Sequence, residues 1–452
     1  MRLTFLGATN TVTGSKFLLS IGEKKILIDC GLFQGLKELR QRNWNKFPVD
    51  PHQIDSVILT HAHIDHSGYL PVLVKNGFSG KIYCSHATKD LCGVLLPDSG
   101  YLQEEEAKFA NKHGYSKHKP AVPLYTRAEA EKTLLQFRAL DFRKNYKFGE
   151  ETHVSLIPAG HILGATFIQV KHYGTTVLFS GDLGRPNDPI MYPPAIIQAA
   201  DYLVLESTYG NRLHKKVNPL DEICDIINRT ATRGGTVIVP AFAVGRAQHL
   251  LYFMYLLKLN KRIPDLPIYL DSPMAKSATD IFKKYNELHR LDAKLSEKVS
   301  EIAKCITTKE ESQALGLDMT PKIIISASGM LEGGRVLHHV KIFAPDAKNT
   351  VVFAGYQAAG TRGADMINGK EFIKIFGEDT PIRAEIKVLS NMSAHADYDE
   401  ILDWLKNFNH YPRKVFITHG EPEAALALKE KIEEQLNWPC VIPDYLYSEL
   451  LN

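Results

Sequence analysis

Short apolar runs, each closed by a polar residue, recur along the N-terminal half of the chain: KKILIDCG, SVILTHAH, KIYCSH, VSLIPAGH, TTVLFSGD and DYLVLES. Their length and richness in Val, Ile and Leu predict strands, and several finish in a group able to bind a metal or a proton. A comparable pair, IKVLSNMSAHAD and KVFITHGE, returns near the C-terminus. From Asn211 the pattern changes. LDEICDIINRT and GRAQHLLYFMYLLKL read as helices, and GGTVIVPA, LPIYLDS, PKIIISAS and NTVVFAG lie among such helices as buried-looking strands. Alternation of this kind predicts a second α/β unit with a largely parallel sheet. The expected organisation is a first domain at residues 1–210, an inserted α/β domain at 211–383, and completion of the first domain by 384–452. The stretch 95–146 reads as polar and helical, with His113 and His118 on its solvated surface.

Composition adds bounds rather than identity. A length of 452 residues is long for a single core, which agrees with two domains. The formal charge of +3 is too mild to announce a nucleic-acid binder, although a local basic groove can hide inside it. Six cysteines without a CxxC pair predict reduced thiols, neither a disulfide framework nor a zinc ribbon. No apolar run approaches the roughly 20 residues of a membrane-spanning helix. The first residues enter a strand pattern with no leader, so a cytoplasmic protein with no membrane partner is expected.

The densest chemistry is HAHIDH at 61–66. On extended backbone residues i and i+2 point the same way, so His61 and His63 can hold one ion. Asp65 and His66 open a helical stretch and can present a second pair beside the first. The remaining ligands must come from elsewhere, and three candidates stand just past predicted strands: His161, Asp182 and His419. If those strands run in register, their ends meet on one rim, where loops on a rigid scaffold carry chemistry. Asp182 can bridge two ions with its two oxygens. The expected sets are His61, His63, His161 and Asp182 for one, and Asp65, His66, Asp182 and His419 for the other. Imidazole and carboxylate ligation without thiolate suits two zinc ions best, with manganese or iron as alternatives. A water bridging such ions ionises near neutral pH and supplies a nucleophile.

In that order these residues resemble the metallo-β-lactamase superfamily, an αββα sandwich. The resemblance makes Asp29 in ILIDCG a supporter of the metal loop through hydrogen bonds. ESTYG at 206–210, SAHAD at 393–397 and THGEP at 418–422 are similar to the motifs of the β-CASP subgroup, whose members process nucleic acids and carry an inserted α/β domain over the metal cleft. The nearest resemblance is to RNA 3′-end-processing endonucleases and their prokaryotic counterparts. It implies that His395 protonates the leaving oxygen as general acid or holds the scissile phosphate and that Glu206 orients it, with Asp65 counted in the catalytic set as well as among the ligands. RNA-cleaving members usually have histidine where this chain has His419, so single-stranded RNA is the implied substrate and endonucleolytic processing the implied activity. PAFAVGRAQ, SASGMLEGGR and GYQAAGTRG, also shared with the subgroup, suggest Arg246, Ser328 and Arg362 as phosphate contacts. A homodimer is allowed. A DNA nuclease or a small-molecule hydrolase of the same fold is the alternative, and the inserted domain argues against the small substrate. A ligand-less RNA-binding scaffold is disfavoured because every expected ligand is present.

Overall fold

The period-two placement of large apolar residues decides how the first unit is layered. The structure, a computed structural model, describes residues 1–114 and 118–452. It divides into two compact units, Met1–Leu213 with His395–Asn452, and His214–Ala394. The first unit's strands are β1 (Arg2–Phe5), β2 (Phe17–Ile21), β3 (Lys24–Ile28), β4 (Ser56–Ile58), β5 (Lys81–Ser85) and β6 (Phe137–Leu140). They continue with β7 (Tyr146–Gly149), β8 (Thr152–Pro158), β9 (Thr166–His172), β10 (Thr175–Phe179) and β11 (Tyr202–Glu206). The second unit holds β12 (Val237–Pro240), β13 (Ile268–Asp271), β14 (Lys304–Cys305), β15 (Ile323–Ser326), β16 (Thr350–Phe353), β17 (Phe372–Ile375), β18 (Glu378–Pro381) and β19 (Glu385–Val388). The chain then re-enters the first unit for β20 (Lys414–Thr418), β21 (Cys440–Val441) and β22 (Ser448–Leu450).

Two seven-stranded sheets form the first unit, ordered β22-β1-β2-β3-β4-β5-β6 and β21-β20-β11-β10-β9-β8-β7. Leu3, Phe5, Phe17, Leu19, Ile26 and Ile28 on one sheet meet Leu156, Ile168, Val170, Val177, Phe179, Val204 and Phe416 on the other in one buried cluster. The two faces touch through rings, Phe5 with Phe416 at 5.1 Å and Phe17 with Phe179 at 6.0 Å between centroids. Leu27, Val57, Ile82 and Cys84 point away from that cluster and are buried too. The helix His86–His113 packs on β5 and β6, and Pro422–Leu436 on β20 and β21. Strands covered on both faces read as continuous apolar runs, which is what the sequence shows. The result is the expected αββα sandwich.

The direction of the strands matters most for chemistry. β8 and β10 both run antiparallel to β9, while β10, β11 and β20 are mutually parallel, so all four end on the same rim. On the first sheet β3, β4, β5 and β6 are also parallel. Within each sheet, the strands that precede candidate ligands therefore deliver them in a common direction.

The second unit has a six-stranded parallel sheet, β14-β13-β15-β12-β16-β19, and a β17–β18 hairpin. Two sequence expectations need correction. The return to the first domain at residue 384 is too early, because IKV at 386–388 lies in β19 and pairs with β16, Val351 opposite Ile386. A run of Ile and Val fits either sheet, and nothing local distinguishes them. The stretch 95–146 is not wholly helical either, since Phe137–Leu140 forms β6 against β5. His113 and His118 are exposed, and 115–117 of that stretch lie outside the described residues.

The metal loop is fixed from below by backbone. Ser15 N–H donates to Asp65 O at 2.8 Å, Cys30 N–H to His66 O at 2.7 Å and Leu32 N–H to Ile64 O at 2.9 Å. Gly31 lies so close that an added Cβ would stand 1.5 Å from the Asp65 carbonyl oxygen. Backbone on both sides cannot give way cheaply. Gly31→Ala is therefore expected to destabilise the protein by about 1–3 kcal/mol through overpacking, read by denaturant unfolding. A midpoint equal to the parent's would show that this close approach does not constrain the loop.

Candidate metal centre

The residues 61–66 leave β4 as extended chain and enter the one-turn helix Ile64–Ser67, so His61 and His63 sit on strand-like backbone and Asp65 and His66 on the helix. His161 follows β8, Asp182 follows β10, and His419 follows β20 directly. His419 adopts φ 48°, a left-handed conformation that His tolerates better than most residues. Its N–H donates to Ala8 O at 2.7 Å and its carbonyl accepts from Ser207 N–H at 3.2 Å, which offsets the strain.

These side chains meet in two groups, His61, His63, His161 and Asp182 in one and Asp65, His66 and His419 in the other. Asp182 stands between them. Its Oδ2 lies 3.3 Å from both His61 Nε2 and His161 Nε2. Its Oδ1 lies 3.1 Å from His66 Nε2 and 3.7 Å from His419 Nδ1. In the first group His63 Nδ1 is 3.1 Å from His61 Nε2 and 3.3 Å from His161 Nε2. In the second His66 Nε2 is 3.1 Å from His419 Nε2, and Asp65 Oδ2 is 3.4 Å from His419 Nε2. Ligands about 2.0–2.1 Å from a tetrahedral zinc ion lie about 3.3 Å apart, the spacing of these atoms.

The donors fit a metal in their bonding as well as their spacing. Asp182 Oδ1 is buried and receives no aligned hydrogen bond, although His66 Nε2 is within reach. The two atoms are placed as neighbours around a third centre. His66 Nδ1 bonds Asp29 Oδ2 at 2.7 Å, and His61 Nδ1 bonds Thr60 Oγ1 at 3.0 Å, which turns both Nε2 atoms inward. Thr60 Oγ1 in turn donates to Asp29 Oδ2 at 2.8 Å, and Thr60 N–H to Asp29 Oδ1 at 2.7 Å. His419 Nδ1 pairs with Thr208 Oγ1 at 3.2 Å. A carboxylate or hydroxyl behind a histidine is the usual way of fixing which nitrogen faces a metal.

Electrostatics prepares the same protonation states. Burial, and then the neighbouring imidazoles, hold His61 and His161 below the usual histidine range and push His63 down to about 3. Burial opposes ionisation of Asp65 and Asp182, but the surrounding histidines outweigh it and keep both carboxyls below the usual range. Neutral imidazoles and ionised carboxylates are the forms that bind cations. His66 is the exception. Against burial, Asp182, Asp29 and Asp65 hold its pKa well above the ordinary value, so a cation there would displace a proton.

His395 borders the cluster, its ring centroid 4.5 Å from that of His161 and its Nδ1 3.9 Å from Asp182 Oδ2. Its Nδ1 lies 3.1 and 3.0 Å from the two oxygens of Glu206, the last residue of β11. Burial lowers its pKa, yet the Glu206 and Asp182 carboxylates reverse this and raise it to about 9. Dications held by the neighbouring ligands would lower it again.

Arg246, Ser328 and Arg362 all belong to the second unit, where Arg246 opens the helix Arg246–Leu259 after β12, Ser328 lies in the loop after β15, and Arg362 opens the helix Arg362–Ile367 after the loop that follows β16. Those loops interlock, Gln357 Nε2 donating to Gly329 O at 3.0 Å and Gly363 N–H to Met330 O at 3.1 Å. Arg362 donates Nε to Lys374 O at 2.7 Å and Nη1 to Leu331 O at 3.1 Å, so much of its guanidinium braces the loop. Ser328 Oγ accepts Glu332 N–H at 3.3 Å. Sequence reasoning missed Thr60 and Thr208, whose hydroxyls orient ligand rings. The place of Thr60 directly before His61 in LTHAH and of Thr208 two residues after Glu206 in ESTYG was the available signal.

Sequence models of three families match successive stretches: the metallo-beta-lactamase superfamily at 12–224, the Beta-Casp domain at 247–366 and the Zn-dependent metallo-hydrolase RNA specificity domain at 379–443. The chain is 36% identical over 436 residues to ribonuclease TTHA0252 of Thermus thermophilus, across 95% of each protein. It is 32% identical over 457 residues to the transcription termination factor FttA of Methanosarcina mazei, across 96% of this chain and 69% of that protein. It is also 29% identical over 446 residues to an RNase J-like protein of Methanocaldococcus jannaschii, across 98% of this chain and 97% of that one. A crystal structure of a protein of unknown function from Enterococcus faecalis V583 is similar with a TM-score of 0.52 at 14% identity, covering 100% of this chain and 99% of that one, a likeness of fold alone.

Because Asp182 faces both groups of ligands, Asp182→Ala is expected to lower zinc content at both positions, measured by elemental analysis after equilibration with excess zinc. An unchanged stoichiometry would show that Asp182 does not join the two groups.

Proposed function

The chain belongs to the metallo-β-lactamase superfamily, in its β-CASP branch, and from that membership we propose that it is a metal-dependent ribonuclease cutting single-stranded RNA. The observation that carries the reading is the placement of a seven-residue donor set, buried except for the half-buried His63 and Asp65, beside an imidazole that is itself held by a carboxylate. The relatives named for ribonuclease and RNase J-like activity, and the match to an RNA specificity domain, support RNA as the substrate.

In this reading His61, His63, His161 and Asp182 hold one zinc ion and Asp65, His66, Asp182 and His419 the other. Bound zinc would polarise the scissile phosphate and ionise a water. The protein's own residues do the rest. Asp29 and Thr60 keep the ligand rings turned inward. Glu206 takes the Nδ1–H of His395 and stabilises the imidazolium, which leaves the Nε2–H to be given to the departing ribose oxygen. That proton matters because an alkoxide leaves poorly. Cleavage is internal, and RNA is preferred to DNA, a preference supported by analogy with members that have histidine at the position of His419. Arg246, Ser328 and Arg362 of the second unit are proposed as phosphate contacts. A homodimer is compatible with the reading and is not required by it.

Zinc-loaded protein incubated with end-labelled RNA and DNA of matched sequence should yield internal RNA fragments and little DNA cleavage. Cleavage of DNA alone would overturn the substrate, and mononucleotide release the mode of attack. His395→Ala should retain its zinc and lose about 100-fold or more in turnover, the usual contribution of a general acid. Full turnover in that variant would remove His395 from the chemistry.

A further inference from the structure

His395 and Asp182 come from segments more than 200 residues apart in sequence, and the acid acts only if those segments stay in fixed relation. Backbone supplies part of the answer. Gly184 and His395 form an isolated antiparallel bridge, and Ala396 N–H donates to Leu183 O at 2.8 Å. Leu183 N–H donates at 2.6 Å to Glu206 Oε1, an oxygen of the carboxylate that holds His395.

Side chains supply the rest. Arg185, three residues after Asp182, donates Nε to both oxygens of Glu400 at 3.2 Å and Nη2 to Oε1 at 3.0 Å. The two side chains are 20% and 14% exposed, so the pair is better shielded from water than a surface ion pair. Glu400 sits in the first turn of the helix Tyr398–Leu405, which begins three residues after His395. Its Oε2 accepts Asp397 N–H at 3.0 Å while Asp397 Oδ1 accepts Glu400 N–H at 3.0 Å, closing a capping box. One glutamate thus starts the helix behind the acid and ties that helix to the segment that carries the carboxylate shared by both ligand groups.

We infer that the Arg185–Glu400 pair is a positioning device for His395, fixing where the imidazole stands relative to Asp182 without touching substrate. The inference rests on the reading of His395 as the general acid. The tethers are short on both sides, and misplacing a catalytic group by about 1 Å can cost a hundredfold in rate.

Glu400→Gln tests it in the full-length, zinc-loaded protein. Glutamine keeps the size and can still accept from Asp397 N–H, so the capping box survives while the charged, forked contact with Arg185 is lost. On an oligoribonucleotide the expected result is a fall in kcat of about tenfold or more with KM within about twofold of the parent. Zinc content and unfolding midpoint should match the parent. In a His395→Ala background the same substitution should cost nothing further, because the pair acts through that side chain. Arg185→Lys, which keeps the charge without the fork, should fall between. Equal losses in both backgrounds, or a loss accompanied by missing zinc or a lower midpoint, would make the pair merely structural and overturn the inference. So would parental kcat in Glu400→Gln beside an impaired His395→Ala. Parental turnover in His395→Ala alone would instead sink the acid assignment on which the inference stands.

Discussion

A single buried carboxylate, that of Asp29, carries the geometry of the metal loop. It sits at the end of β3 with φ 57°, a left-handed backbone conformation that an aspartate occupies at modest cost. Both oxygens are satisfied, by Thr60 N–H, Thr60 Oγ–H and His66 Nδ1. A fully buried charge is tolerable only with such a set of donors. The arrangement works in both directions. The donors satisfy the Asp29 carboxyl in the interior, and Asp29 keeps His66 directly, and His61 through Thr60, with Nε2 facing the site. Removing the carboxylate would leave the ligands in place as residues but free to rotate or change tautomer.

The sandwich explains why so distant a set of residues can converge. Parallel strands aim their C-terminal ends alike, so a residue just past β4, β8, β10, β11 or β20 reaches one rim irrespective of its place in the sequence. β11 and β20 are neighbours, paired from Tyr202 with Lys414 to Glu206 with Thr418. The chain can therefore leave the first unit after Leu213, build a second parallel sheet, and return at His395 without disturbing the pairing that puts His419 beside Thr208.

Much of this was legible in the sequence, and the reason is local. HAHIDH announces itself by spacing, and an apolar run followed within a few residues by His or Asp places a ligand at a strand end whatever the strand's partner. Partnering is what a linear pattern does not contain. IKV at 386–388 has the composition of a strand in either sheet, and only its pairing with β16 assigns it to the second. The same blindness hid Thr60 and Thr208, since a threonine that orients a neighbouring ring looks like any other β-branched residue. It also hid the tie between Arg185 and Glu400, 215 residues apart. For the loops of the second unit the glycine pattern foretold tight turns, but the structure commits two of the donors of Arg362 to the carbonyls of Leu331 in one such loop and Lys374 in β17, a structural task that composition cannot distinguish from phosphate binding.

The site finally depends on keeping two kinds of histidine apart. His61, His63 and His161 crowd one another in a dry environment, and each discourages a proton on the others, which leaves lone pairs for a cation. His395 is as close to His161 as the ligands are to one another, and by crowding alone it too would be neutral. Glu206 reverses the sign. Its carboxylate ends β11, is buried, and lies against Nδ1 of that one imidazole, so a proton is favoured on the ring that the proposed chemistry makes the acid. Environments that push the pKa values of chemically identical groups apart are what assign acid and ligand roles within one cluster. In the proposed reading a strand-end glutamate, with Asp182, makes the division, and the segment 182–185 fixes where it acts through Leu183 N–H and Arg185.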